Sequence, residues 1–340
     1  MIPHNKPSIG PEESQTIAEV IASGWIAPGE KVKQFEQVFA DYVGAKHAVA
    51  VNSGTAALYM ALKILEIQYA IMPTYACGAL LNVAKMVDII PLLMDIEQNS
   101  FNMERAIVNP YNRNETRAFV ILHTFGVPAD LAYIKRNGIK LIEDCSQALG
   151  SYINGKHVGI QGDIGIFSFG SSKMITTGSG GMLVTNNKDL ADKAREFLDY
   201  VNHVPAFNFA MNDMQAAMGI MQLRKLPIFL FKRAQMAYEY HDICKSKGWD
   251  YNKGTITGNN FYRFVLIGNF VDRLKQHLAD NRITAIVPIE RRELLHNMLG
   301  LDAGNYPNAE WVSRNTLSLP IFPDLLENGF DHVIKTLKGF

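Results

Sequence analysis

Cysteine is scarce. The chain has three, Cys77, Cys145 and Cys244, an odd number without CxxC spacing. That argues against a disulfide framework or a zinc module and leads us to expect reduced thiols in a cytoplasm. Net charge is also missing: 33 basic side chains balance 33 acidic ones. No global field therefore draws the chain to nucleic acid or an anionic membrane. Long apolar runs are absent too, each being broken by Pro or charge short of the roughly 20 residues a membrane span needs. The opening Met1-Ile-Pro-His-Asn-Lys-Pro7 lacks the apolar core of a signal peptide. No internal repeat or low-complexity tract stands out. What remains is ordinary globular composition, 48% hydrophobic and 19% charged, which suits a small-molecule partner. A length of 340 residues suggests about two domains.

Pro11-Glu-Glu opens one helical segment, and Val32, Phe35, Phe39 and Val43 mark the apolar face of another. Seven short runs then read as strands: 47–52, 69–72, 89–95, 118–123, 140–144, 164–169 and 182–185. Several are apolar throughout, as expected of strands covered on both faces. Helical stretches separate them, so the pattern predicts an α/β layer fold with a mainly parallel sheet. From about Asp189 the texture changes. Helices are expected over 190–200 and 213–225, with a long one after Pro227, then a strand over 261–267 and a helix over 271–281. We expect a large domain over residues 1–229 and a smaller C-terminal α+β domain over 230–340.

Ligands of open α/β sheets collect at the carboxyl ends of the strands. Ser53-Gly54-Thr55, His123, Asp144 and Ser168 fall there. Lys173 is the sharpest signal, because between Ile164 and Asn187 no other residue is charged. Composition alone leaves a surface-loop lysine equally open. In a partly buried, uncharged pocket, however, burial favours the neutral amine and so a Schiff-base nucleophile. Asp144 closes the strand Lys140-Leu-Ile-Glu-Asp144, where a carboxylate suits a metal, a base role or a cationic ring nitrogen. Glu143 beside it could simply face solvent. Cys145 and His123 lack ligand spacing, so no metal is expected, and a lone histidine is more often structural. Val51-Asn-Ser-Gly-Thr-Ala-Ala-Leu58 reads as strand, turn and helix. The first amides of that helix, with hydroxyls from Ser53 and Thr55, form a phosphate cradle, although such residues also serve as ordinary N-caps. Cradle, strand-end carboxylate and isolated lysine together are the parts that pyridoxal 5′-phosphate (PLP) needs.

Over nearly its whole length the chain resembles the DegT/DnrJ/EryC1/StrS sugar aminotransferases, which share the aspartate aminotransferase-like PLP fold. The resemblance rests on Asn52-Ser-Gly-Thr-Ala-Ala-Leu58, His123-Thr-Phe-Gly-Val-Pro-Ala-Asp130 and Glu143-Asp-Cys-Ser-Gln147. It continues through Ser168-Phe169, Lys173, Thr176-Thr-Gly178, Asn208, Gln215-Ala-Ala-Met-Gly219, Tyr306-Pro-Asn-Ala-Glu310 and Leu317-Ser-Leu-Pro320. It implies that Lys173 forms the imine and then moves a proton as acid and base, while Asp144 faces the pyridine nitrogen. It further implies Gln147 near the phenolic oxygen, Gly54, Thr55 and Ser168 at the phosphate, and Asn208 reaching the phosphate of a neighbouring subunit in a homodimer. Cys77 takes the place of the ring that usually stacks on the cofactor, with Tyr75 close by. Ala210 replaces a usual arginine, and an acidic stretch before the second strand is missing.

The function so implied is amination of a keto-sugar, at C3 or C4 of a nucleotide-linked deoxysugar, with glutamate as donor. Trp25, Asn202, His203 and the segment around Arg291 are candidate substrate contacts. Two alternatives stand beside it. One is a PLP-dependent sugar dehydratase, in which histidine replaces the lysine. The other is a non-catalytic binding or regulatory protein on the same fold.

Overall fold

A computed structural model describes residues 1–104, 116–132, 134, 139–199, 206–252 and 258–340. Two helices, α1 (Pro11–Ser23) and α2 (Glu30–Val43), precede the sheet. Pro11 begins α1 without sacrificing a helical N–H, and Gly24 ends it at φ 75°. Then come β1 (His47–Val51), α3 (Gly54–Ile64), β2 (Tyr69–Pro73), α4 (Ala79–Met86), β3 (Ile90–Met94), β4 (Arg117–Leu122) and β5 (Lys140–Asp144). A two-residue hairpin follows, β6 (Tyr152–Ile153) with β7 (Lys156–His157), and then β8 (Ile164–Ser168), β9 (Gly181–Thr185), α5 (Lys188–Glu196) and α6 (Asp213–Lys247).

All seven predicted strands meet in one sheet of order β1-β9-β8-β5-β4-β2-β3. The pairs from β8 to β3 are parallel, and β9 is antiparallel to both β8 and β1. One apolar cluster, around Phe35, Phe39, Phe167 and Phe169, covers one face of the sheet. Another, around Met60, Leu62, Val83 and Leu183, covers the other. Strands such as β4 and β9 are buried nearly throughout, which is why they read as continuous apolar runs.

The remaining elements are β10 (Asp250–Tyr251), β11 (Phe264–Ile267), α7 (Val271–Asp280), α8 (Leu295–Met298), α9 (Pro307–Arg314), β12 (Thr316–Leu319) and α10 (Phe330–Gly339). β10, β11 and β12 form a separate antiparallel sheet over a core that includes Tyr240, Leu274, Leu317 and Val333.

Two expectations about helices need correction. The segments on either side of Pro227 are one 35-residue helix, α6, with the proline inside it. Proline removes one i→i−4 bond and crowds the preceding turn. Leu223, Leu226 and Phe229, all buried in the same core, hold the helix together across the defect. The division at residue 229/230 therefore falls within α6. In addition, α5 stops at Glu196, short of residue 200. Ile2 bridges to Ile283, so the first residues pack with the C-terminal sheet. Among the described residues no helix is long and apolar enough to cross a membrane.

Candidate active site

The carboxyl ends of β2, β4, β5 and β8 and the amino end of α3 open onto one cleft of about 270 Å³. Gly54, Thr55, Cys77, Asp144, Gln147, Ser168 and Lys173 all line it. These residues come from segments scattered over 120 positions of chain, and the parallel strand ends bring them together.

At one end of the cleft, Ser53 caps α3 by accepting the Ala56 amide at 3.0 Å, while the helix start at Gly54 and Thr55 faces the cleft wall. A Cβ on Gly54 would stand 2.7 Å from Ser168 Cβ, so only glycine lets the helix start approach the end of β8 so closely. Free amides at a helix N-terminus beside two hydroxyls fit a phosphate dianion. The residues at this end of the cleft therefore fit the phosphate of such a cofactor.

Asp144 ends β5 and is 8% exposed, with its Oδ1 accepting the Ser146 amide at 2.9 Å. Glu143 points to the opposite face. Rather than facing solvent it is wholly buried, and accepts the amides of Gly159 (2.9 Å), Gln161 (2.7 Å) and Gly162 (2.6 Å). His123 Nδ1 accepts the Ala129 amide at 2.9 Å. Its proton therefore sits on Nε2, which donates to Glu143 Oε2 at 3.1 Å. His123 lines the cleft but is satisfied on both nitrogens, as a structural histidine should be. Burial pushes the Glu143 carboxyl up, and the hydrogen bond from His123 with the Gly159 and Gly162 amides more than offsets this, holding it below the ordinary value. Cys145 is excluded as a nucleophile, because burial, with the Glu143 and Asp144 charges, pushes its thiol far up.

Lys173 lies in the loop after β8, its amide bonded to the Gly170 carbonyl at 3.0 Å. Its Nζ sits over the face of Tyr262, 5.7 Å from the ring centroid, at cation–π range. Burial pushes the Tyr262 phenol up, but Lys173, Arg263, the Ser172 hydroxyl and Arg233 together bring it below its ordinary value. Gln147 points its Oε1 at the Phe125 amide, 2.8 Å away, in a turn where Phe125 adopts φ 56°.

Cys77 is exposed in the cleft. Tyr75 is fully buried, with its ring packed against Phe101 and Phe125, so of the two Cys77 offers the accessible side chain. Asn208 is outside this cleft. Its carbonyl accepts Asn52 Nδ2 at 2.8 Å, which ties it beside the helix start while its residue remains exposed. Trp25 lines a separate groove with Pro28 and Glu30, and Arg291 is paired with Glu310 at 2.7 Å. Asn202 and His203 lie outside the described residues. Among the described residues no group of three or more His, Cys, Asp or Glu could hold a metal. Tyr262 and Arg263 were not legible as site neighbours in the sequence; the one signal was a charge just before the apolar run of β11.

Residues 7–338 match the DegT/DnrJ/EryC1/StrS aminotransferase family. The chain is 29% identical over 379 residues to the spore coat polysaccharide biosynthesis protein SpsC of Bacillus subtilis (strain 168), covering 99% of this chain and 96% of that one. It is 29% identical over 358 residues to GDP-perosamine synthase of Escherichia coli O157:H7, covering 100% and 98%. The crystal structure of the aminotransferase TlmJ from Streptoalloteichus hindustanus superposes with a TM-score of 0.91 at 27% identity, covering 100% of this chain and 98% of that one.

Proposed function

The chain belongs to the DegT/DnrJ/EryC1/StrS aminotransferase family, a family of PLP-dependent enzymes. On that premise we propose that it carries an amino group from glutamate to a keto-sugar, a nucleotide-linked 3- or 4-keto-deoxysugar used in amino-sugar or surface-polysaccharide synthesis. The observation that carries this reading is the meeting of Lys173, Asp144 and the Gly54/Thr55/Ser168 cradle in one cleft. The similarity to GDP-perosamine synthase supports the sugar class.

When bound, PLP supplies an electron sink for charge that develops at the reacting carbon. This chain's residues do the rest. Gly54, Thr55 and Ser168, which line the cleft together, would hold the phosphate, and Asp144 would keep a proton on the ring nitrogen. Gln147 would serve the phenolic oxygen, and Cys77 would cover the ring. Lys173 would hold the cofactor covalently, and as a free amine would serve as the acid–base group that moves the proton of the substrate carbon. Lysine rather than histidine at this position favours amination over the dehydratase reading. Retention of both Lys173 and Asp144 argues against a non-catalytic role.

We infer further that the enzyme is a homodimer with shared sites. Asn208 is exposed and absent from its own cleft, a placement suited to the phosphate of a partner. Free thiols at all three cysteines agree with a reducing cytoplasm.

The direct test is to screen keto-sugar nucleotides for glutamate-dependent amination and to weigh the product by mass spectrometry. The protein should be yellow, and borohydride should fix the cofactor to Lys173. A colourless protein, or label on another lysine with Lys173 free in active enzyme, would remove the basis of the assignment.

A further inference from the structure

The loop that leaves β2 forms one wall of the cleft, with Tyr75, Ala76 and Cys77 all lining it. Residues 74–78 lie in neither helix nor strand, and they are fastened from the C-terminal part of the chain. Leu295 donates its amide to the Thr74 carbonyl at 2.9 Å. His296 donates its amide to the Thr74 hydroxyl at 3.0 Å, and its ring meets the same oxygen, with Nδ1 2.7 Å away. At the other end of the loop, a Cβ on Gly78 would stand 3.1 Å from Met298 Cε. The short helix α8 thus closes over both ends of the Cys77 loop.

His296 is wholly buried, where a polar ring is costly unless each nitrogen is met. Its Nε2 lies 3.3 Å from Glu310 Oε1. One arrangement satisfies every group: Nε2 donates to the carboxylate, Nδ1 accepts the Thr74 hydroxyl proton, and the hydroxyl oxygen accepts the His296 amide. Tyr306 stacks on the ring with centroids 4.4 Å apart. Glu310 is fixed in turn by Arg291 Nε at 2.7 Å, by Asn297 Nδ2 at 3.0 Å and by Arg314. Burial pushes its carboxyl up, but Arg291, Asn297 and His296 outweigh this and hold it down at about 2. The helix that carries it, α9, is moored just past β3, where Asp95 accepts the amides of Asn308 at 2.8 Å and Ala309 at 2.9 Å. Ile289, two residues before Arg291, lines the same cleft. The chain Thr74–His296–Glu310–Arg291 therefore joins two stretches of the cleft wall, although none of the four lines it.

We propose that His296 is a positioning residue that, through the Thr74 hydroxyl, holds the Cys77 loop over the cofactor. The inference rests on the reading that Cys77 covers the cofactor ring. A thiol offers a smaller face than an aromatic ring, so its cover depends on where the loop holds it. A buried network with every member satisfied sets such a position firmly.

The test uses five proteins: wild type, Thr74→Val, Thr74→Ser, His296→Gln and the Thr74→Val/His296→Gln double variant. PLP affinity is titrated by absorbance, and iodoacetamide labelling of Cys77 is mapped with and without PLP. Thr74→Val removes the hydroxyl at nearly constant shape. His296→Gln can still reach Glu310 but not Thr74, so the two variants cut one link from opposite sides. Each should weaken PLP binding about tenfold, the scale of a buried hydrogen bond lost with its partner left unmet. In both, Cys77 of the PLP-loaded protein should label severalfold faster than in wild type. Thr74→Ser keeps the hydroxyl and should restore wild-type values. The double variant should be no weaker than either single one, because the second cut finds the link already broken. His296→Gln carries the test if the valine variant fails to fold. Lower Tm with wild-type PLP affinity and Cys77 labelling would overturn the proposal and leave the network a purely structural one. Additive losses of PLP affinity would overturn it as well, since the two residues would then act by separate routes. If PLP fails to protect Cys77 in wild type, the cover reading fails, while Cys77 labelling of the apoproteins still reports whether His296 sets the loop.

Discussion

Glu143 and Asp144 are consecutive in β5 yet serve opposite faces of the sheet: Glu143 is bound by His123 and three loop amides, while Asp144 lines the cleft. The alternation of a strand separates them. The hidden carboxylate gathers the loop at 159–162 and His123 behind the sheet, which secures the strand end that presents Asp144 to the cleft.

For Asp144, the expected outcome of Asp144→Asn is a protein that still binds PLP but turns over about a hundredfold more slowly or worse, the scale of a lost acid–base contribution. A neutral amide cannot hold the ring nitrogen protonated. Absorbance spectra check binding and single-turnover kinetics check the rate. Near-normal turnover would remove Asp144 from this role.

For Glu143 the expected loss is of stability. Glu143→Ala leaves buried donors unmet and should cost about 3–5 kcal/mol, as breaking a buried pair does, read by chemical denaturation. Folding holds this carboxyl below its ordinary value of 4.5. Its contribution is therefore complete above that unfolded value and is lost as pH falls through the lower folded one. Wild-type stability should decline on acidification below about pH 4.5, and the variant should show a shallower decline over the same window. Parallel curves would contradict the linkage.

Cys77 gives a chemical probe of the cleft. Iodoacetamide should label it readily in the apoprotein and severalfold more slowly once PLP covers it. Cys145 and Cys244 should stay unlabelled in both, since burial pushes the Cys145 thiol far up and the Cys244 thiol to about 12. Peptide mapping reads all three at once. Labelling of Cys77 indifferent to PLP would place the cofactor elsewhere.

Asn208 and Lys173 test the shared site together. Asn208→Asp sets a carboxylate beside the phosphate and should inactivate; Lys173→Ala should be inactive for want of the amine. After subunit exchange of equal amounts, half the dimers are mixed and half of their sites carry neither lesion, so about a quarter of wild-type activity should return. Differently tagged subunits that co-purify prove exchange. With exchange proven, a mixture as dead as its parents would falsify action in trans.

The sequence by itself determined the sheet and the core of the site. Seven strands were legible because strands buried on both faces must be apolar throughout. Asp144 and the Ser53–Thr55 turn were legible because open sheets gather ligands at strand ends, and Lys173 because an isolated charge is conspicuous in an uncharged run. Tertiary structure decided the rest. Glu143 could have faced water until the loop at 159–162 closed over it, and proline at 227 broke the local helical pattern that packing in α6 restored. Tyr262 and Arg263 reach the neighbourhood of Lys173 from about ninety positions away. Contacts between such distant residues depend on how α6 and β11 pack beside the cleft, and no periodicity or spacing within either segment encodes them.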